Sequence, residues 1–202
     1  MKKRVLVVVA HPDDETIWIG GTLLINRKWE TEIVSLCRKN DRDRAPKFKK
    51  VCKIFNADCV MGDLEDEKLN SIKIEKIINL IESLIKDNKF DYIFTHGENG
   101  EYGHIRHKEI HNAIKKLVEE KKLKCQKLIF FDYTTKSKEI QTNKNADKII
   151  KLDNNILKRK KDIIVKLYGF EKGSFEEKSC KKYESLKILN IKGNLQKKLE
   201  DI

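Results

Sequence analysis

At 202 residues with a formal net charge of +12, from 44 Lys plus Arg against 32 Asp plus Glu, the chain is long enough to bury a sizeable core and is read as one domain. The excess is lysine scattered along the whole length, not a concentrated basic face with stacking aromatics, so nucleic acid is set aside as a partner and an anionic small substrate fits the charge equally well. The apolar run behind the basic start lasts six residues, too short for a signal or a span, and five cysteines without a CxxC pair read as reduced thiols, so a cytoplasmic protein without a transmembrane segment is expected.

The β-branched run ending at Ala10 predicts a buried strand over residues 3–10. It stops at His11, and His11, Asp13, Asp14 and Glu15 put four groups able to bind a metal or a proton within five residues. Trp18, Thr22, Ile25 and Trp29 recur at helical spacing, which predicts a helix over 15–28 with the carboxylates at its N-terminus, where free N–H groups favour negative charge. A second strand is expected over 32–37, then a polar loop, and a helix over 45–55 whose apolar face is Phe48, Val51, Cys52 and Phe55. Residues 58–61 read as a short strand followed by an acidic loop, Gly62 to Asp66, on the same rim of the sheet.

Ile74, Ile77, Ile78, Ile81, Leu84 and Ile85 predict an amphipathic helix, and residues 90–95 a fourth strand. That strand opens onto HGENGEYGHIRH, where three glycines within seven residues predict a tight, irregular loop. A helix is expected from His104 to Val118 and a fifth strand over 127–131. Beyond it, 136–147 reads as an exposed polar loop, 148–152 as a sixth strand, and 155–168 as a helix punctuated by Gly169 and Gly173. From about 169 onward the pattern is irregular; Tyr183, Leu186 and Leu189 suggest one more element, and the last few residues are expected to fray. Alternating strands and helices give the fold class: α/β, three-layer and Rossmann-like, around a mostly parallel sheet. No GxGxxG follows the first strand, so a dinucleotide cofactor is not indicated.

Four of the five histidines fall in two strand-end loops that also carry acids. If the first and fourth strands are neighbours, those loops meet and supply two imidazoles and a carboxylate to one metal, with a position left for water, the ligand count of catalytic zinc. Asp13 and His104 would stand beside it, free to move protons. Singly, each of these residues is as readily a surface or helix-cap group. His111, four residues after His107, does not make a zincin pair, because HExxH needs glutamate where Lys108 stands; it is read as supporting the site or as plain helix surface.

AHPDDE, residues 10–15, together with GEYGHIRH, residues 100–107, resembles the LmbE/PIG-L family of zinc-dependent N-deacetylases, with likeness extending from Val5 to about Tyr168. The resemblance implies metal ligands His11, Asp14 and His107, a general base Asp13, and His104 as the group that steadies the tetrahedral intermediate. It implies Zn2+, with Fe2+ or another divalent ion as the alternative, and hydrolysis of the acetamide of an N-acetylated sugar or conjugate to acetate and a free amine. The alternatives are a metal-dependent amidohydrolase on a non-sugar acylated amine and a catalytically silent sugar-binding protein; a homo-oligomer is left open. Arg44 aligns with a family arginine near the substrate, although Lys47 stands where many relatives have glutamate. His96, Glu98, Asn99, Glu101 and Tyr102 are candidates to line the sugar pocket, and Glu15 to support the site or cap the helix.

Overall fold

Every side chain from Val5 to Ala10 is sealed from solvent, because the first strand is covered on both faces. The computed structural model describes residues 2–191. The strand, β1 (Arg4–Val9), lies inside a seven-stranded sheet between β2 (Glu30–Ser35) and β4 (Tyr92–Thr95), with β3 (Ala57–Met61) beyond β2 and β5 (Lys127–Phe131) beyond β4. These five pair in parallel. Val5, Val7 and Val9 pack beneath α1 (Asp14–Ile25), α2 (Arg44–Phe55) and a π-helical turn, Ile163–Tyr168, that continues α6 (Asn154–Asp162). Leu6, Val8 and Ala10 face α3 (Ile74–Leu84) and α5 (Ile105–Glu119), separated from β4 by a single turn, α4 (Gly100–Gly103). Alternation along one strand thus feeds two cores, one per sheet face.

Three segments depart from expectation. The polar stretch after β5 contains a hairpin, β6 (Tyr133–Lys136) with β7 (Glu139–Thr142). Its two turn residues, Ser137 and Lys138, both have positive φ, 50° and 65°, as a type I′ turn requires; the pair lacks the Asn-Gly signature that would have announced it. The carboxyl-terminal part is not an irregular extension: after β8 (Lys148–Lys151) and α6 come a short helix, α7 (Phe175–Ser179), and β9 (Tyr183–Asn190). β9 runs antiparallel between β5 and β8, so the sheet is only mostly parallel. The expected fraying at the end lies outside the described residues. Among those described, no helix is long and apolar enough to cross a membrane.

The helix after β1 is shorter than expected and broken at Ile19, whose φ of −137° is not helical. Glu184, from β9, receives the N–H groups of Gly21 and Thr22, both at 2.8 Å, and so caps the second half. The Lys160 ammonium meets the same carboxylate at 2.6 Å, and both side chains are fully buried. Removing one partner strands the other charge in the core. Lys160→Met is expected to lower unfolding free energy by about 3–5 kcal/mol, read from denaturant titration; a smaller loss than about 1 kcal/mol would show that Glu184 does not depend on this ammonium.

Candidate active site

The sheet grows one way from β1 through β2 to β3 and the other way from β4 to β5, so strand order reverses between β1 and β4. Loops diverge at such a point and leave a crevice at the carboxyl ends of the strands. Val8 pairs with Thr95, so the chain beyond each runs side by side, and the Ala10 N–H donates to His96 Nε2 at 2.9 Å.

Into this crevice the first loop sends His11 and Asp14. Asp14 Oδ2 accepts the His11 backbone N–H at 2.8 Å, and its Oδ1 accepts the Trp18 indole N–H at 2.9 Å, so two donors fix the carboxylate's orientation. His107, on the first turns of α5, brings Nε2 to 3.3 Å from His11 Nδ1 and 3.4 Å from Asp14 Oδ2; His11 Nδ1 lies 3.2 Å from the same oxygen. Three donors separated by 3.2–3.4 Å outline one face of a tetrahedron. A tetrahedral centre with bonds of about 2.0–2.1 Å has edges of about 3.3–3.4 Å, so the donor set fits a divalent metal such as zinc, with the fourth corner open.

Each imidazole is backed by a carboxylate. Glu101 is buried and joins His107 Nδ1 at 2.5 Å and His96 Nδ1 at 3.0 Å through Oε2, while its Oε1 accepts the Gly97 N–H at 2.7 Å. A side chain at Gly97 would meet the Phe131 carbonyl at 2.4 Å, so glycine is required for that approach. Asp66 Oδ1 lies 3.0 Å from His11 Nε2, and Arg38 holds its other oxygen at 3.0 Å. Asp66 is delivered by the fully buried Arg106, which bonds the Glu65 carboxylate and carbonyl, the Asn70 carbonyl and Glu109. The acidic loop was foreseen on this rim, whereas the partnership of Asp66 with His11 and the anchoring role of Arg106 were not; only the distances reveal them.

Two further clusters of potential ligands share these residues. His96, Glu101 and His107 are already joined by the bonds above, and His11, Cys37 and Asp66 include a buried thiol whose pKa burial pushes far up. His111 is buried and joins the His96 carbonyl through Nδ1 at 3.0 Å, which makes it a support for the second loop and not helix surface. Glu109 turns away to Arg106 and the Ile72 N–H.

Burial opposes charge on His11 and His107, but hydrogen bonds and attraction from Asp14, Asp66 and Glu101 outweigh it and raise the rings to about 10 and about 9. Burial likewise opposes ionisation of Asp14, yet His107 and His11 hold it well below the usual range. Asp13 goes the other way: burial and the adjacent Asp14 push it well above an ordinary carboxylate. His104 is lowered to about 4 by burial and by the cationic His107 and His11. It caps α5, with Nδ1 accepting the Arg106 N–H at 3.3 Å, so the neutral ring carries its proton on Nε2.

Asp13, Asp14, His11 and His104 open into a cavity of about 270 Å³. Trp18, Tyr102, Phe170 and Phe175 supply aromatic walls, and Arg38, Arg44, Asp66 and Glu176 a charged rim. Arg44 reaches Asp13 Oδ2 at 3.3 Å and lies over the Phe170 ring at 4.2 Å. Lys47 does not point at the cavity; it bonds Asp43 and the Tyr168 carbonyl. Of the expected pocket residues, Arg44 and Tyr102 are there. His96 and Glu101 are not: both are at most 1% exposed and stand behind His107, outside the cavity lining. Glu98 and Asn99 also fall outside the lining, Asn99 being spent on the Tyr133 carbonyl and the Glu101 N–H. A larger depression of about 470 Å³ lies around Lys86, Asn88 and Lys122 at the opposite, amino ends of β4 and β5, away from all of this chemistry.

Residues 6–118 match the family described as PIG-L, GlcNAc-PI de-N-acetylase. The chain belongs to that family. Among curated proteins it is 28% identical over 120 residues to an uncharacterised protein of Acanthamoeba polyphaga mimivirus, covering 52% of this chain and 53% of that one. It is 29% identical over 114 residues to a probable N-acetyl-alpha-D-glucosaminyl L-malate deacetylase of Bacillus subtilis, covering 47% and 52%. The match thus spans about half the length of these relatives. The fold is shared with N,N'-diacetylchitobiose deacetylase from Pyrococcus horikoshii at a TM-score of 0.67 and 14% identity, over 93% of this chain and 84% of that one. In this PIG-L family member the carboxylate behind His107 is expected to matter as much as a ligand does. Glu101→Gln should weaken metal affinity by about 10- to 100-fold, measured by competition with a chelating dye; unchanged affinity would show that His107 is oriented without it.

Proposed function

We propose that the chain is a zinc-dependent N-deacetylase that hydrolyses the acetamide of an N-acetylated sugar or sugar conjugate, and that the carboxyl-terminal elements belong to the same catalytic unit. The observation that carries this is the near-equilateral set of His11 Nδ1, Asp14 Oδ2 and His107 Nε2 at 3.2–3.4 Å, with Asp13 and His104 facing the same cavity. Family membership and the deacetylase named among its relatives support the reaction class. The aromatic walls beside charged groups suit a sugar ring, which has apolar faces and hydroxyl edges.

An amide is a poor electrophile and water a poor nucleophile. His11, Asp14 and His107 would hold the metal, which when bound would supply a Lewis acid for the acyl carbonyl and for the acidity of water. Asp13, its basicity raised by burial, takes a proton from the attacking water and later returns it to the nitrogen, which must be protonated to depart. Arg44 at 3.3 Å keeps that carboxylate directed into the cavity. His104 acts as a neutral Nε2–H donor toward the oxygen that gains negative charge, since its Nδ1 is committed to the Arg106 N–H. These roles account for both catalytic groups, which a silent sugar-binding protein would not need.

Purified protein should release acetate from N-acetylglucosaminides, lose that activity on chelation and regain it with zinc. Asp13→Asn should lower kcat by about 10²- to 10⁴-fold with metal content unchanged, and His11→Ala or His107→Ala should lose the metal as well. Acetate release from acylated amines but from no sugar would move the reading to a non-sugar amidohydrolase; none from any amide by metal-loaded protein would refute it.

A further inference from the structure

Asp13 is a strained point of the site. Its φ of 130° with ψ of −29° is a conformation that residues with a Cβ rarely adopt, and one that persists only where neighbours over-determine it. Its carbonyl accepts the Thr16 and Ile17 N–H groups at 2.9 and 2.8 Å, which any helix start would provide. Its N–H donates to Glu15 Oε2 at 3.0 Å. Glu15 is fully buried, and its other oxygen receives the Thr16 hydroxyl at 2.5 Å and the Tyr168 hydroxyl at 2.8 Å. Glu15 meets no cation in these contacts. Its orientation is set by a tyrosine 153 residues downstream, outside the stretch that matches the family.

Tyr168 is itself placed with care. It ends the π-helical turn, is 2% exposed, and its carbonyl is gripped by the Lys47 ammonium at 2.8 Å. The next residue, Gly169, turns the chain with a φ of 81°. A regular α-helix continued from α6 would rotate the ring away from α1, because each residue inserted or removed turns a helix by about 100°. π-helical turns recur at functional sites for this reason.

We propose that Tyr168, acting through Glu15, is a positioning residue that holds Asp13 in its strained backbone conformation and so keeps the proton-transferring carboxylate at working geometry; this rests on the assignment of Asp13 made above. Neither residue touches substrate. Tyr168→Phe removes one hydroxyl. It should lower kcat of the metal-loaded enzyme by about 10- to 100-fold, the effect of a misplacement near 1 Å, with KM and metal content unchanged. In a crystal structure of the variant Asp13 should relax to negative φ. Glu15→Gln, which can still accept from the Asp13 N–H, should retain more kcat than Glu15→Ala. Thr22→Val, which removes a buried hydroxyl bonded to Glu184 from the same helix, should lose stability and leave kcat alone. A Tyr168→Phe enzyme with kcat within about twofold of wild type and Asp13 unmoved overturns the proposal. If that variant does not fold, equal kcat for Glu15→Gln and Glu15→Ala overturns it instead. If metal-loaded wild type hydrolyses no amide yet Asp13 relaxes in Tyr168→Phe, the reaction assigned above fails and the positioning stands.

Discussion

The site is organised by one buried carboxylate. Asp14 is 3% exposed, and an isolated ionised carboxylate at that depth would take up a proton. It stays ionised because the His11 and Trp18 N–H groups are fixed on it and two imidazoles converge on the same oxygen. Asp14, with Asp66 beside His11 and Glu101 beside His107, outweighs burial and raises the rings to about 10 and about 9. A divalent ion would take these imidazoles in their neutral form and Asp14 ionised. Binding is therefore coupled to proton release.

The outer groups follow from that arrangement. Two rings and a carboxylate are held 3.2–3.4 Å from one another, and each ring has its own acid, Glu101 or Asp66, each acid with its own anchor. Glu101 is fixed by the Gly97 N–H and by His96, whose carbonyl is in turn held by His111. Asp66 is fixed by Arg38 and by the loop that Arg106 ties to α5. Histidine ligands whose second nitrogen is committed in this way keep one tautomer and one orientation.

Asp13 and Asp14 are adjacent in the chain yet sit in opposite electrostatic surroundings. Asp14 contacts the rings and is driven toward the ionised form; Asp13, buried beside a negative neighbour, is driven toward the basic side. The separation depends on backbone geometry. The chain turns at Asp13 with a φ of 130°, and both carboxylates line the cavity.

Local sequence determined the first five strands, the helices between them and the two motifs, because apolar period and strand-end polarity are written in neighbouring residues. The resemblance carried by those motifs implied His11, Asp14 and His107 as a ligand set, with Asp13 and His104 beside it, and the fold places the three donors 3.2–3.4 Å from one another. What no local pattern contained was the work of groups far apart in the chain: Glu101 and His96 turned behind His107, Asp66 on His11, and Glu184 capping a break in α1. The hairpin turn at Ser137 and Lys138 and the entry of β9 into the sheet were equally invisible, since strand pairing is settled by partners and not by propensity. The chain's residues name the chemistry because ligand types are few; their roles around it were decided only when β1 and β4 became neighbours and burial chose which acids faced rings, cations or solvent.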